Sequence, residues 1–247
     1  MELNSIIIQA VIIFIIVLFS SFIHSSTGFG FAVFSMTLLT IILPLASAVA
    51  VVRLSLLVLT AMMVVSLWKH INWRFIVRPT IFTMVGNTVG FYLLIIISAG
   101  ILSKIMGGVL IVFAIYLLKY YEKIIIKKSK KADVCIGLLA GVLNGMFNLG
   151  GIVLVTYFLV AIDDKLEYAS SLQANFVINA LFINILGLIA GDFSSPGMIA
   201  FSVAVVIAVV VGSWFGLKVL KKINKELIGK LSYSYMLIMG VIMLIKH

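Results

Sequence analysis

Long apolar runs, separated by short polar or glycine-rich clusters, follow one another along the whole chain. They are Leu3–Ile23, Phe31–Leu43, Ala46–Trp68, Phe75–Ser98, Ile101–Tyr120, Val134–Leu143, Ile152–Ile162, Leu166–Ala190, Gly197–Val219 and Leu227–Ile245. A helix needs roughly 20 apolar residues to cross a bilayer. The three long runs that begin at Ala46 and the three that begin at Leu166 meet that requirement. Phe31–Leu43, Val134–Leu143 and Ile152–Ile162 are too short to cross alone, whereas Leu3–Ile23 is long enough.

One kind of interruption occurs twice. His24-Ser25-Ser26-Thr27-Gly28-Phe29-Gly30-Phe31 separates the first two runs, and Asn144-Gly145-Met146-Phe147-Asn148-Leu149-Gly150-Gly151 separates the sixth and seventh. His24 and Asn144 stand 120 positions apart, as do Gly30 and Gly150. At the same offset Arg53 pairs with Gln173 and Ser55 with Asn175. Further on, Gly86-Asn87-Thr88-Val89-Gly90 pairs with Gly212-Ser213-Trp214-Phe215-Gly216 at an offset of 126. Small residues four apart predict close helix–helix contact. The matches together predict a duplicated fold. A helix broken inside lipid leaves backbone N–H and C=O groups that protein, water or a solute must satisfy. Two matched breaks are therefore candidate binding elements.

Charge adds an orientation. Lys119, Lys123, Lys127, Lys128, Lys130 and Lys131 place the link between halves in the cytoplasm, and Lys69, Arg74 and Arg78 place the loop from Trp68 to Phe75 there too. The counterpart of that loop, Gly191 to Pro196, carries no basic residue and is expected outside. Lys218, Lys221, Lys222 and Lys225 put their loop inside, opposite the bare Ser98-Ala99-Gly100. Equivalent loops on opposite sides predict inverted repeats with an odd number of crossings each. The expected fold is an all-α polytopic membrane protein of two inverted repeats. Each repeat is a re-entrant hairpin plus three transmembrane helices, about eight membrane segments in all. Residues 1–121 form the first repeat, 122–133 a basic cytoplasmic linker, and 134–247 the second repeat.

Composition agrees. Mean hydropathy is +1.30, 64% of residues are hydrophobic and 11% charged, about half the charged share of a soluble domain. The net charge of +10 sits in loops, so it sets orientation and makes nucleic acid a poor partner. The first run lacks a basic flank and a cleavage site, which argues against a cleaved signal. The lone Cys135 permits no intrachain disulfide and no metal-ligand spacing, and no cofactor is expected.

The duplicated break, the Thr27-Gly28-Phe29-Gly30 tip before a run ending at Pro44, the Asn148-Leu149-Gly150-Gly151 tip and the basic linker resemble the TauE/SafE sulfite-exporter family over nearly the whole chain. The first tip departs from it by carrying Phe29 and Phe31 where the family often has glycine. The resemblance implies a multi-pass inner (plasma) membrane transporter, with sulfite or related organosulfur anions as substrates and export as the direction. The expected function is secondary transport of a small anion by alternating access around the two tips. A non-transporting assembly subunit and a transporter of an unrelated small solute are the alternatives. No HExxH, GxSxG or Walker A motif supports an enzyme or an ATP-driven pump. The expected partners are the anion and the bilayer, with homo-oligomerisation left open.

Several residues are candidates for the site. Arg53 is a cation well inside a span, where insertion scales charge it roughly 2.5–3.5 kcal/mol. A guanidinium suits an oxyanion, and snorkelling to the boundary is the bland alternative. His24 titrates near neutrality and is the candidate for proton coupling. Its bland role is a neutral histidine bonded at the tip. Asn144, Asn148, Gln173, Asn175, Asn179 and Asn184 crowd the second half, as solute contacts or as interhelical hydrogen-bond donors and acceptors. The expected binding set is Arg53, Thr27, Gly28, Gly30, Asn148, Gly150, Gly151, Gln173 and Asn175.

Overall fold

The structure, a computed structural model, describes residues 2–27, 30–120, 129–191 and 196–219, together with 234, 237, 238, 240–242, 244 and 245. Its elements are helices: α1 (Glu2–Thr27), α2 (Phe31–Ile42), α3 (Leu45–Leu67), α4 (Trp73–Ile96), α5 (Ala99–Tyr120), α6 (Lys130–Phe147), α7 (Gly151–Ala161), α8 (Lys165–Ala190) and α9 (Pro196–Val219). Among the described residues, five stretches are long and apolar enough to cross a membrane: Ile8–Ser26, Leu45–His70, Trp73–Ile96, Ala99–Tyr116 and Leu166–Ala190. The tenth expected run, Leu227–Ile245, lies largely outside the described residues.

Local chemistry sets the helix ends. Asn72 Oδ1 accepts from Phe75 N (3.0 Å) at the start of α4, and Asp164 Oδ1 from Glu167 N (2.7 Å) at the start of α8. Ser129 Oγ accepts from Ala132 N (3.1 Å) and opens α6. Residues Lys130 to Asp133, expected to belong to the linker, are therefore helical. The rest of the linker, 121–128, lies outside the described residues.

The hairpins differ from expectation in where they break and how long their arms are. His24, Ser25 and Ser26 belong to α1, and Asn144 to Phe147 belong to α6, so both helices run through the polar residues. Ser26 Oγ donates back to Phe22 O (2.8 Å) and Ile23 O (2.9 Å), which satisfies the hydroxyl without opening the helix. Instead α1 runs to Thr27 and α2 begins at Phe31, and the second break falls at Asn148 to Gly150. In each hairpin the first arm is long and only the second is short: 26 and 12 residues in one, 18 and 11 in the other. At 1.5 Å per residue α1 is about 39 Å long, enough to traverse a hydrocarbon core of about 30 Å, whereas α2 and α7 reach about halfway.

Two glycine contacts join the halves. Along α4 and α6, Pro79 O, Thr83 O and Asn87 O face Gly137, Gly141 and Gly145 in turn, so these helices run parallel. A Cβ at Gly86 would overlap Leu138 O, and one at Gly90 would overlap Val142 O. Helix α9 meets α1 in the same way, with Gly212 against Leu18 O and Gly216 against Phe22 O. Leu18 and Phe22 stand 120 positions before Leu138 and Val142. The two halves therefore use one contact twice, each half lending its glycine helix to the other's hairpin.

Between these pairs α3 and α8 cross antiparallel. Asn184 Nδ2 donates to Arg53 O (3.1 Å) near one end. Near the other, Asn72 N donates to Ser171 Oγ (2.9 Å) and Asn72 Nδ2 to Glu167 Oε1 (2.6 Å).

Backbone is the obstacle at Gly90, and it cannot rotate away. Gly90→Leu is expected to destabilise the protein by about 3 kcal/mol or more. Gly108→Ala, where an added Cβ meets nothing within 4 Å, is expected to hold or raise stability by up to about 1 kcal/mol. Thermal unfolding in detergent measures both.

Candidate functional site

The two tips are built differently. Gly30 precedes α2 with φ 103° and ψ −15°, a conformation that a side chain would strain. Asn148 ends α6 in the left-handed region, φ 57° and ψ 23°, one that asparagine tolerates best among residues with a side chain. Its N–H returns to Asn144 O (2.8 Å) and Leu149 N to Leu143 O (3.3 Å), which satisfies the end of α6. Asn148 Nδ2 donates to Val49 O (3.0 Å) and ties this tip to α3.

A cavity of about 60 Å³ lies between the tips and the α3–α8 pair. A water needs roughly 10–15 Å³ measured this way, so the space suits about four to six small heavy atoms. Gly30, Phe31, Ala32 and Val33 bring the N-terminus of α2 to it, and Gly151 and Ile152 bring that of α7. Both short helices thus turn their positive dipole ends toward one space.

Arg53 lines the cavity and is 1% exposed. It does not snorkel. Its Cζ lies 5.2 Å from the Phe91 ring centroid, a cation–π contact worth up to about 2 kcal/mol when desolvated, which offsets part of the burial. His24 also lines the cavity. Its Nε2 stands 3.5 Å from Gln173 Nε2, and its buried Nδ1 has no hydrogen-bond partner among the described residues.

The asparagines form a directed chain. Asn144 Nδ2 donates to Asn87 Oδ1 (2.9 Å), and Asn87 Nδ2 to Asn179 Oδ1 (2.9 Å). Asn179 Nδ2 donates to Asn175 O (2.9 Å), and Asn175 Nδ2 to Thr80 Oγ1 (2.8 Å). At about 0.6 kcal/mol each these bonds stabilise modestly, but they link α6, α4 and α8.

Of the expected binding set, Arg53, Gly30, Asn148, Gly151 and Asn175 line the cavity. Gln173 reaches it through His24. Gly150 is packed rather than open: a Cβ there would overlap Ala140 O. Thr27 is the last residue of α1, and Gly28 lies outside the described residues. Thr60, Thr83 and Phe176 also line the space and were not marked by any sequence pattern. Asn87, enclosed by Asn144 and Asn179, had one available signal. It is an amide directly after the contact glycine Gly86, within the Gly86 to Gly90 pair.

The chain is 25% identical over 187 residues to a probable membrane transporter protein of Methanocaldococcus jannaschii, covering 72% of this chain and 70% of that one. No solved structure matches it. The sulfite exporter TauE/SafE family pattern matches residues 13–243. That match takes in both hairpins and the helices around the cavity, and the chain is a multi-pass membrane protein of the TauE/SafE sulfite exporter family.

Proposed function

We propose that the protein is a secondary transporter of a small anion, sulfite or a short organosulfonate, acting by alternating access around the paired tips. One observation carries this reading: a fully buried arginine faces a small cavity on which the N-termini of two short helices converge. A fixed positive charge and two positive dipole ends favour an anion and disfavour a cation. Sulfite has four heavy atoms, within the room available, whereas longer sulfonates need side chains to move. Export is the direction that the family's description names, and the plasma membrane is the place that this reading gives it. A non-transporting assembly subunit would leave Arg53 and the cavity without a use.

Inverted repeats supply the mechanism in this reading. The exchange of glycine helices between hairpins supports it, as do the antiparallel α3–α8 pair and the opposite loop charges. Rocking one hairpin-bearing unit against the other would open the cavity first to one side and then to the other.

Three measurements test these points. Arg53→Gln removes a buried charge, so the protein should insert as well as or better than wild type while sulfite flux into proteoliposomes falls by about a hundredfold, corresponding to roughly 3 kcal/mol of lost charged hydrogen bonding. Arg53→Lys keeps the charge but not the fork and should fall between the two. A well-inserted Arg53→Gln with wild-type flux would sink the anion site.

His24→Gln should flatten the pH dependence of transport while leaving the protein in the membrane. An unchanged profile removes His24 from coupling. In a Cys135→Ser background, His70→Cys should react with an impermeant thiol reagent from the cytoplasm and Ser194→Cys from outside. Labelling of both from one face contradicts the inverted arrangement.

A further inference from the structure

The two halves bring an aromatic ring to the start of each short helix by different routes. Phe31 and Gly151 stand 120 positions apart and are the first residues of α2 and α7. Leu56 and Phe176 stand at the same offset, on α3 and α8. All four line the cavity. In the first half the ring belongs to the short helix itself, and Phe31 is fully buried. In the second half the short helix starts without a side chain, and the ring reaches it from α8. Phe176 Cζ lies 3.3 Å from the point where a Cβ at Gly151 would stand, and Cε1 and Cε2 lie 3.8 and 4.0 Å from it. The end of the ring rests beside the space that the glycine leaves open.

The spacing along α8 agrees with this direction. Phe176, Asn179, Ala180 and Ile183 follow one helix face, and all four line the cavity. Leu149, Ile152, Leu154 and Ile183 on its walls are buried, whereas Phe176 is only partly so. Phe176 is thus the largest lining side chain that is not fully enclosed. The cavity of about 60 Å³ holds about four to six small heavy atoms, and the Phe176 ring takes up a similar number beside it. We infer that Phe176 sets the size limit of the solute: its ring closes the cavity beside the start of α7 and excludes sulfonates with tails longer than about two carbons. The inference rests on the anion-transport reading above and names the side chain that limits its substrates. Removing the ring adds room for about as many atoms again. Removing the Leu56 side chain adds less, because Phe31 still fills the corresponding helix start.

The test is a competition assay on the full chain in proteoliposomes. Sulfite flux is measured at neutral pH against methanesulfonate, 1-propanesulfonate or benzenesulfonate. The three competitors share one singly charged head group and differ only in the tail. In the wild type, benzenesulfonate should need a concentration at least about tenfold higher than methanesulfonate for equal inhibition, the penalty of forcing extra carbons into filled space. In Phe176→Ala that gap should close to within about threefold. In Phe176→Leu, which keeps part of the side chain, propanesulfonate should gain and benzenesulfonate should not. Leu56→Ala should keep the wild-type gap for benzenesulfonate.

A wild type that methanesulfonate does not inhibit, or that benzenesulfonate inhibits equally well, overturns the inference and leaves anion transport standing. So does an unchanged gap in Phe176→Ala, or a gap that closes as far in Leu56→Ala. Should Phe176→Ala not insert, Phe176→Leu decides. Failure of both to insert makes the ring a packing element and also overturns the inference. The absence of any sulfite flux in the wild type overturns the functional reading as well.

Discussion

A helix that stops inside a bilayer must hand its unpaired backbone groups to something other than water. The site depends on how this chain meets that requirement at two places. At the second tip the end of α6 closes on itself through Asn148 and Leu149, and the Asn148 side chain then reaches across to α3. At the first tip a left-handed glycine lets α2 begin and present its N-terminus. Local closure of the second break holds α7 where its dipole matters.

Close backbone approach lets two such hairpins share one space. Glycines on α4 and α9 remove the side chains that would hold those helices away from α6 and α1. The helices then run parallel at backbone contact, where packing and not hydrophobicity supplies the association in lipid. Each glycine helix belongs to the other half of the chain from the hairpin it supports. The two tips are therefore set by contacts between halves, and the cavity exists only once both halves are folded together.

The polar interior follows from the same geometry. Parallel packing of α4 on α6 brings Asn87 to Asn144, and the approach of α8 brings Asn179 and Asn175 into line behind it. A single backbone carbonyl then orients the whole series. Arg53 faces this arrangement across the cavity with Phe91 over its guanidinium, so the positive charge is buried by packing and not carried to the boundary. The site sets a buried cation and a chain of amides around one cavity, a property of relative placement and not of any one side chain.

The membrane class, the long helices α3, α4, α5 and α8, the duplicated break and the contact glycines were all legible in the sequence. Each is a pattern of residue type at fixed spacing, and lipid punishes departures from such patterns severely. The importance of Arg53 was legible for the same reason, since a charge inside a span is too costly to be incidental. The sequence left open where each hairpin breaks, because a polar side chain need not end a helix: Ser26 bonds back within α1, and Asn144 bonds across to Asn87 while staying helical. It did not distinguish Gly150, which is packed on α6, from Gly30, which opens onto the cavity. Nor did it show that Asn87, Asn144 and Asn179 would join in one hydrogen-bonded chain. An amide both donates and accepts, and only tertiary packing decides which partners stand beside it.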